Sequence, residues 1–158
     1  MRTLFIIPLV LMSLVSFPSW GADVNTGVAA AQNGDFATAL KELEPLAEQG
    51  HAKAQYNLGV MYEKGLGVPQ DDKEAVRLYR LAAEQGDADA QYNLGAMYGN
   101  GTGVVQDFIY AHMWWNIAAS NGVDKGNKKK VEELMTTSDI SEAQRLAREC
   151  VKKNYKGC

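Results

Sequence analysis

Between Asp35 and Gly122 the apolar residues recur at the spacing of one helix face, interrupted at short intervals by polar stretches that carry glycine. Ala54, Leu58, Met61 and Tyr62 stand at i, i+4, i+7 and i+8, and Ala75, Leu78, Tyr79 and Ala82 form a second stripe of the same kind. Each stripe predicts an amphipathic helix, and Gly65 with Gly67 predicts the turn between them. Asp71 has the character of an N-cap, with Glu74 three residues on in the position of a capping-box partner. Gly50, Gly86 and Gly122 stand where a helix C-terminus calls for a left-handed residue. Gly59 and Gly95 are different, because both fall in the middle of a predicted helix, where glycine costs ~1 kcal/mol relative to alanine. A glycine repeated at such a place predicts the close approach of a neighbouring helix.

The two stripes belong to a repeat. An offset of 36 residues superposes His51–Gly86 on Asp87–Gly122 with half of the positions identical. Ala-Gln-Tyr-Asn-Leu-Gly at 54–59 returns at 90–95, and Gly65-x-Gly67-Val68-x-Gln70-Asp71 returns as Gly101-x-Gly103-Val104-x-Gln106-Asp107. The same offset carries Asp35, Ala39 and Leu46–Gly50 onto Asp71, Ala75 and Ala82–Gly86. A period of this length with two helices per unit predicts an all-α fold, a short α/α solenoid in which stacking builds the core. The expected organisation is a signal peptide at 1–21, an N-terminal capping helix at 22–34, a half-repeat at 35–50, full repeats at 51–86 and 87–122, and a helical C-terminal cap at 123–158. Within that cap, helices are predicted near 125–135 and 137–153, the second opened by Thr136 and Asp139 in capping-box spacing.

The leader changes the picture of compartment. Arg2 precedes an apolar run from Leu4 to Val15, and Ser19 with Gly21 fits the small-x-small rule for cleavage after Gly21. An uncleaved anchor is the other reading, but the run is short for a membrane-spanning helix of ~20 residues, and no span is expected after cleavage. No cysteine lies near the cut, so a lipid anchor is not expected. Loss of Arg2 lowers the basic count from 16 to 15 against 19 acidic side chains, taking the formal net charge from −3 to −4. That balance gives no general attraction to nucleic acid, and Lys128–Lys130 reads as a solvated helix face.

Both cysteines, Cys150 and Cys158, lie at the end of the chain. In a continuous helix their Cα atoms would stand ~12 Å apart, whereas a disulfide needs less than ~7 Å. An internal bridge therefore requires the helix to end near Asn154, with Gly157 turning the tail back. An intermolecular bridge, or Cys150 buried as a small apolar residue, are the alternatives.

The motif Ala-x-x-x-Leu-Gly-x-Met-Tyr, followed by Gly-x-Gly-Val-x-x-Asp and Ala-x-x-x-Tyr-x-x-Ala-Ala-x-x-Gly, resembles the Sel-one-like repeat family, relatives of tetratricopeptide repeats. The likeness covers Asp35 to Gly122, and Met135–Arg148 is similar to the tail that follows such arrays. The resemblance implies a right-handed superhelical stack whose concave face holds protein partners, in envelope assembly, signalling or host contact. Two departures stand out: the array is short, and Val105 replaces the proline found at Pro69.

Candidate chemistry is sparse. Some cysteine-rich relatives are described as penicillin-binding or β-lactamase-like, but there each repeat carries a cysteine pair, and here none does. No serine is followed by lysine three positions on, so a lysine-assisted serine nucleophile is not expected. His51 and His112 stand far apart, neither with a ligand-spaced partner, and read as surface or packing residues, so no metal or other cofactor is expected. Asp71-Asp72 and Glu132-Glu133 suit helix starts or polar faces. Gly65-x-Gly67 and Gly101-x-Gly103 lack the third glycine and the preceding strand of a phosphate loop. Trp114 and Trp115 fall on Leu78 and Tyr79 of the preceding unit, which makes them core.

What remains is a stripe opposite the buried side of the first helices. Tyr56, Asn57, Val60 and Glu63, with Tyr92, Asn93 and Ala96 one unit later, form the candidate partner-binding face, the other reading being ordinary exposed helix or inter-repeat contact. The expectation is a non-enzymatic adaptor, periplasmic or secreted from a Gram-negative-type bacterium, monomeric or weakly self-associating, that binds a protein or peptide. A hydrolase of the β-lactamase-like class and a structural subunit of an envelope assembly are the alternatives.

Overall fold

The computed structural model describes residues 21–158, and the signal-peptide expectation falls on residues outside that range. Among the described residues the chain forms eight helices and no strand: α1 (Val24–Gln32), α2 (Phe36–Glu48), α3 (Ala52–Lys64), α4 (Asp72–Ala83), α5 (Ala88–Asn100), α6 (Phe108–Ser120), α7 (Asn127–Glu132) and α8 (Thr137–Lys152). Helices pair in sequence order, α1 on α2, α3 on α4 and α5 on α6. The pairs then stack through α2 on α3 and α4 on α5, and α7 and α8 both close on α6.

The sequence signals for helix starts act as read, with one exception. Asp35, Asp71 and Asp107 cap α2, α4 and α6, their carboxylates accepting from the backbone N–H groups of Thr38, of Lys73 and Glu74, and of Tyr110. The exception is Glu74, which does not reach back to close a box on Asp71. Its carboxylate instead takes both Nε and Nη2 of Arg77, at 2.8 and 2.5 Å, because a guanidinium three residues on offers two charge-assisted bonds where the backbone offers one neutral donor. At Thr136 the box does close, with Asp139 N–H on the Thr136 hydroxyl at 3.2 Å and the Asp139 carboxylate on the Thr136 N–H at 3.1 Å. Helix ends repeat as well: Gly86, at φ +89°, lets Asp87 N–H bond back to the Ala82 carbonyl at 3.2 Å, and Gly50 does the same for His51 and Leu46.

Inside each pair a glycine of the first helix admits a large side chain of the second. A side chain begun on Gly59 would stand 2.9 Å from the Tyr79 ring, and one on Gly95 would stand 2.8 Å from Trp115. The leading pair has the same contact, with Gly27 against Leu43 at 2.7 Å. Leu43, Tyr79 and Trp115 occupy one position in the 36-residue register. Around these contacts lie two large apolar clusters and a smaller one of Ala111, Trp115 and Val131. Of the large two, one joins α2, α3 and α4 through Leu43, Leu46, Leu58, Met61 and Leu78, and the other joins α4, α5, α6 and α8 through Tyr79, Leu94, Met97, Trp114, Ile117 and Cys150. Trp114 is 1% exposed, as its register with Leu78 requires.

The C-terminal region departs most from the expected ranges. The helix predicted over 125–135 shrinks to Asn127–Glu132, because Gly126 turns left-handed at its start (φ +78°) and supplies no side-chain cap. α8 ends at Lys152, and the chain then reverses through Asn154 and Tyr155, at φ +51° and +65°, with Gly157 also left-handed. This reversal brings the Cα atoms of Cys150 and Cys158 to 5.6 Å and their sulfurs to bonding distance. The helix thus stops two residues short of Asn154, and the turn expected of Gly157 is shared with Asn154 and Tyr155.

Gly95→Ala tests the glycine contact where the opposing ring has least room to yield, since Trp115 Nε1 donates to the Tyr92 carbonyl at 3.0 Å. Alanine gains ~1 kcal/mol in helix propensity and loses more to overpacking, for a net loss of about 1–2 kcal/mol and a melting temperature lower by roughly 5 °C. A thermal melt by far-UV circular dichroism measures it.

Candidate functional site

The candidate stripe is carried by α3 and α5, and its residues have unlike surroundings. On α3, Tyr56, Asn57, Val60 and Glu63 are each partly exposed. Asn57 Nδ2 donates to the Lys53 carbonyl at 2.7 Å, a local bond along the same helix. The Tyr56 ring lies 5.9 Å from the ring of Tyr79, tilted by 38°. Tyr79 itself is buried, and its hydroxyl donates to Glu63 Oε2 at 2.5 Å, so the interior of α4 is tied to the outer stripe of α3 by one hydrogen bond. Burial, reinforced by the Glu63 carboxylate, pushes the Tyr79 phenol far above the usual tyrosine range. Burial raises Tyr56 as well, followed by the negative charges of Asp89, Asp87 and Glu63. Asn93, partly exposed on α5, sits beside both phenols. The α3 half of the stripe is therefore a tyrosine on a fixed aromatic base with carboxylates around it.

On α5 the equivalent tyrosine is engaged by the chain itself. The Tyr92 ring lies 6.3 Å from that of Trp115, the Lys125 ammonium stands 4.5 Å from the Tyr92 centroid, and Asn127 Nδ2 donates to the Tyr92 hydroxyl. Burial, then the charge of Asp124, raises the Tyr92 phenol. The segment that brings Lys125 and Asn127 here is held by α7, whose Val131 is buried against Ala111 and Trp115. Glu132 accepts from His112 Nε2 at 2.7 Å, while Asn116 Nδ2 donates to His112 Nδ1 at 3.0 Å. Both histidine nitrogens have a hydrogen-bonding partner in that arrangement. Ala96 lines a cavity of about 220 Å³ with Trp115, Phe108, Val131 and Leu134. Sequence reading missed this cover. His112 falls on Val76 in the register, a position that turns toward the next unit, and that offset is the signal that could have shown His112 to be buried.

Among the described residues no three His, Cys, Asp or Glu side chains converge as a metal ligand set would, and no helix is long and apolar enough to cross a membrane.

Comparison with known proteins adds to the geometry. A family model described as Sel1 repeat matches residues 52–87 and 88–123. DAP3-binding cell death enhancer 1 of Rattus norvegicus is 38% identical over 50 residues, which is 32% of this chain and 10% of that protein. Its Mus musculus counterpart is 36% identical over 50 residues with the same coverage. The chain thus matches about a tenth of the length of these curated relatives. Among solved structures, a protective antigen present in uropathogenic Escherichia coli strains and displaying an SLR fold superposes with a TM-score of 0.78 at 27% identity, covering 84% of this chain and 30% of that one. A Sel1 repeat protein from Oxalobacter formigenes superposes with a TM-score of 0.60 at 32% identity, covering 63% of this chain and 79% of that one.

The Tyr79–Glu63 bond gives a pH test. A phenol whose folded-state pKa lies above its unfolded value of about 10 contributes stability that is complete below that pH and is lost as pH rises toward the folded value. Tyr79→Phe should cost about 1 kcal/mol at neutral pH for the lost hydrogen bond, and should flatten part of the loss of stability above pH ~10. Urea unfolding of both proteins at neutral and alkaline pH measures the difference.

Proposed function

Because this chain belongs to the Sel1 repeat family, whose repeats mediate protein–protein interaction, we propose that it is an exported adaptor that holds a protein or peptide segment on the Tyr56 face of α3 and α5. The observation that carries this reading is the contrast between the two tyrosines. Both rings are partly exposed, but Tyr92 has its hydroxyl bonded by Asn127 and its ring under Lys125, whereas Tyr56 lies against Tyr79 and Asn93 within the repeat array and carries no such contact from the C-terminal segment. A preorganised, amphipathic ring of that kind is the side chain that anchors interfaces, since little conformational entropy is lost when it is covered. Val60 and Asn93 flank it with one apolar and one polar contact, and Glu63 and Asp89 favour a partner segment with a basic residue near the anchor. The Tyr92–Ala96 end of the stripe, closed by α7, forms the wall of the site.

Export is the finer part of the proposal. It is supported by the leader pattern at the start of the sequence and by the two cysteines held at bonding distance, a pair that an oxidising compartment would keep as a disulfide. The superposition on a protective antigen of uropathogenic Escherichia coli strains agrees with that placement.

The test is capture of a partner from an envelope extract on immobilised protein, identified by mass spectrometry and then titrated against Tyr56→Ala. Truncating a central tyrosine anchor costs about 2 kcal/mol, so affinity should fall roughly thirtyfold while far-UV circular dichroism is unchanged. A partner bound equally by both proteins would contradict the assignment of the face.

A further inference from the structure

The 36-residue register makes every surface of one unit comparable with that of the next, and two equivalent grooves are filled differently. In the second unit the outer side of α6 is covered by the chain's own C-terminal segment. Tyr110 and Met113 share a small cavity with Leu146, Cys150 and Cys158, and Ile117 meets Ala147 across another. The Tyr155 ring lies 3.4 Å from where a side chain on Gly86 would begin, and its hydroxyl lies 3.3 Å from the Asn121 side chain. α8 and the tail after it therefore occupy the hollow between α4 and α6.

One repeat earlier, Tyr110, Met113, Ile117 and Gly86 become Glu74, Arg77, Leu81 and Gly50. These four line an open groove of about 580 Å³ between α2 and α4, floored by α3. The floor is apolar: Leu58 and Leu78 are buried at its base, and Leu81 is left 37% exposed. Its rim is acidic, carrying Glu44, Glu48 and Glu74, and the one cation among the described residues that line it, Arg77, is already held by Glu74 at 2.5 Å. The segment that fills the equivalent groove shows what shape fits: a helix with small and medium apolar residues at i, i+3, i+4 and i+7, here Ala143, Leu146, Ala147 and Cys150.

We propose that the α2–α4 groove is a docking site for a basic amphipathic helix of a partner protein, seated as α8 is seated one repeat later. Shape follows from the internal template, and basic character follows from the acidic rim. The site lies on the side of α3 away from Tyr56, so it stands independently of the face proposed above.

The probe is a fluorescent synthetic peptide of residues 137–158 of this chain carrying Asp139→Lys, Glu142→Lys and Glu149→Lys, its two cysteines joined, titrated with the whole protein by anisotropy. Saturable binding is expected. Glu44→Lys/Glu48→Lys should weaken it about tenfold or more and should reverse the preference, so that the peptide keeping its three acids binds the variant better than the lysine form does. Leu81→Asp, at an exposed position, should weaken both peptides, whereas Tyr56→Ala should leave binding unchanged. Circular dichroism checks that each variant is folded. No saturable binding by the native protein, or equal affinity for native protein and the double lysine variant, overturns the proposal.

Discussion

The fold rests on a steric exchange between paired helices. In each of the three pairs, a glycine on the first helix leaves the space that a large residue on the second fills: Leu43 over Gly27, Tyr79 over Gly59, Trp115 over Gly95. Dispersion and burial favour such a contact because a ring or isobutyl group laid on bare backbone meets many atoms at once. The cost is the poor helix propensity of glycine, which the packing must exceed. That single exchange fixes how closely the two helices of a pair approach and hence which side chains remain outside. Tyr56 is held where it is because its neighbour Tyr79 has been drawn in over Gly59 and pinned by Glu63.

A stack of this kind has two ends and two faces, and the C-terminal segment deals with one of each. α7 and the segment leading into it cover the Tyr92 end of the candidate stripe through Val131, Lys125, Asn127 and the His112–Glu132 bond. α8 and the tail cover the outer hollow beside α6, where Met113 and Ile117 replace the Arg77 and Leu81 of the preceding unit. The substitutions in the second repeat are those a covered surface needs, and the first repeat keeps the charged residues of an uncovered one. The same unit is thus specialised twice, once to be closed by its own chain and once to stay open.

Much of this was legible in the sequence because the repeat offers each position a second observation. The period, the aspartate caps, the C-terminal glycines and the burial of Trp114 and Trp115 all follow from residues that recur at a fixed offset. Glu74 was misassigned to a capping box because the spacing does not reveal that Arg77, one turn on, is a stronger partner. After Gly122 the period is lost, and with it the second observation. The path of α7 across Tyr92 depends on Gly126, Val131 and a histidine–glutamate bond between residues 20 apart, none of which has a counterpart in the earlier units. The reversal after α8 was legible only in part: asparagine enters the left-handed region readily, so an end near Asn154 could be read, whereas positive φ at Tyr155 is not a sequence preference and goes with the tail packing back on Gly86 and Asn121.

The central claim is that the Tyr56 side of α3 is where another protein is held. A photo-reactive phenylalanine analogue placed at position 56, and in parallel at exposed Lys129 on α7, tests it in the living cell. The account predicts a discrete protein adduct from position 56 and none from position 129. Adducts of the same proteins at both positions, or an adduct at 129 alone, would contradict it.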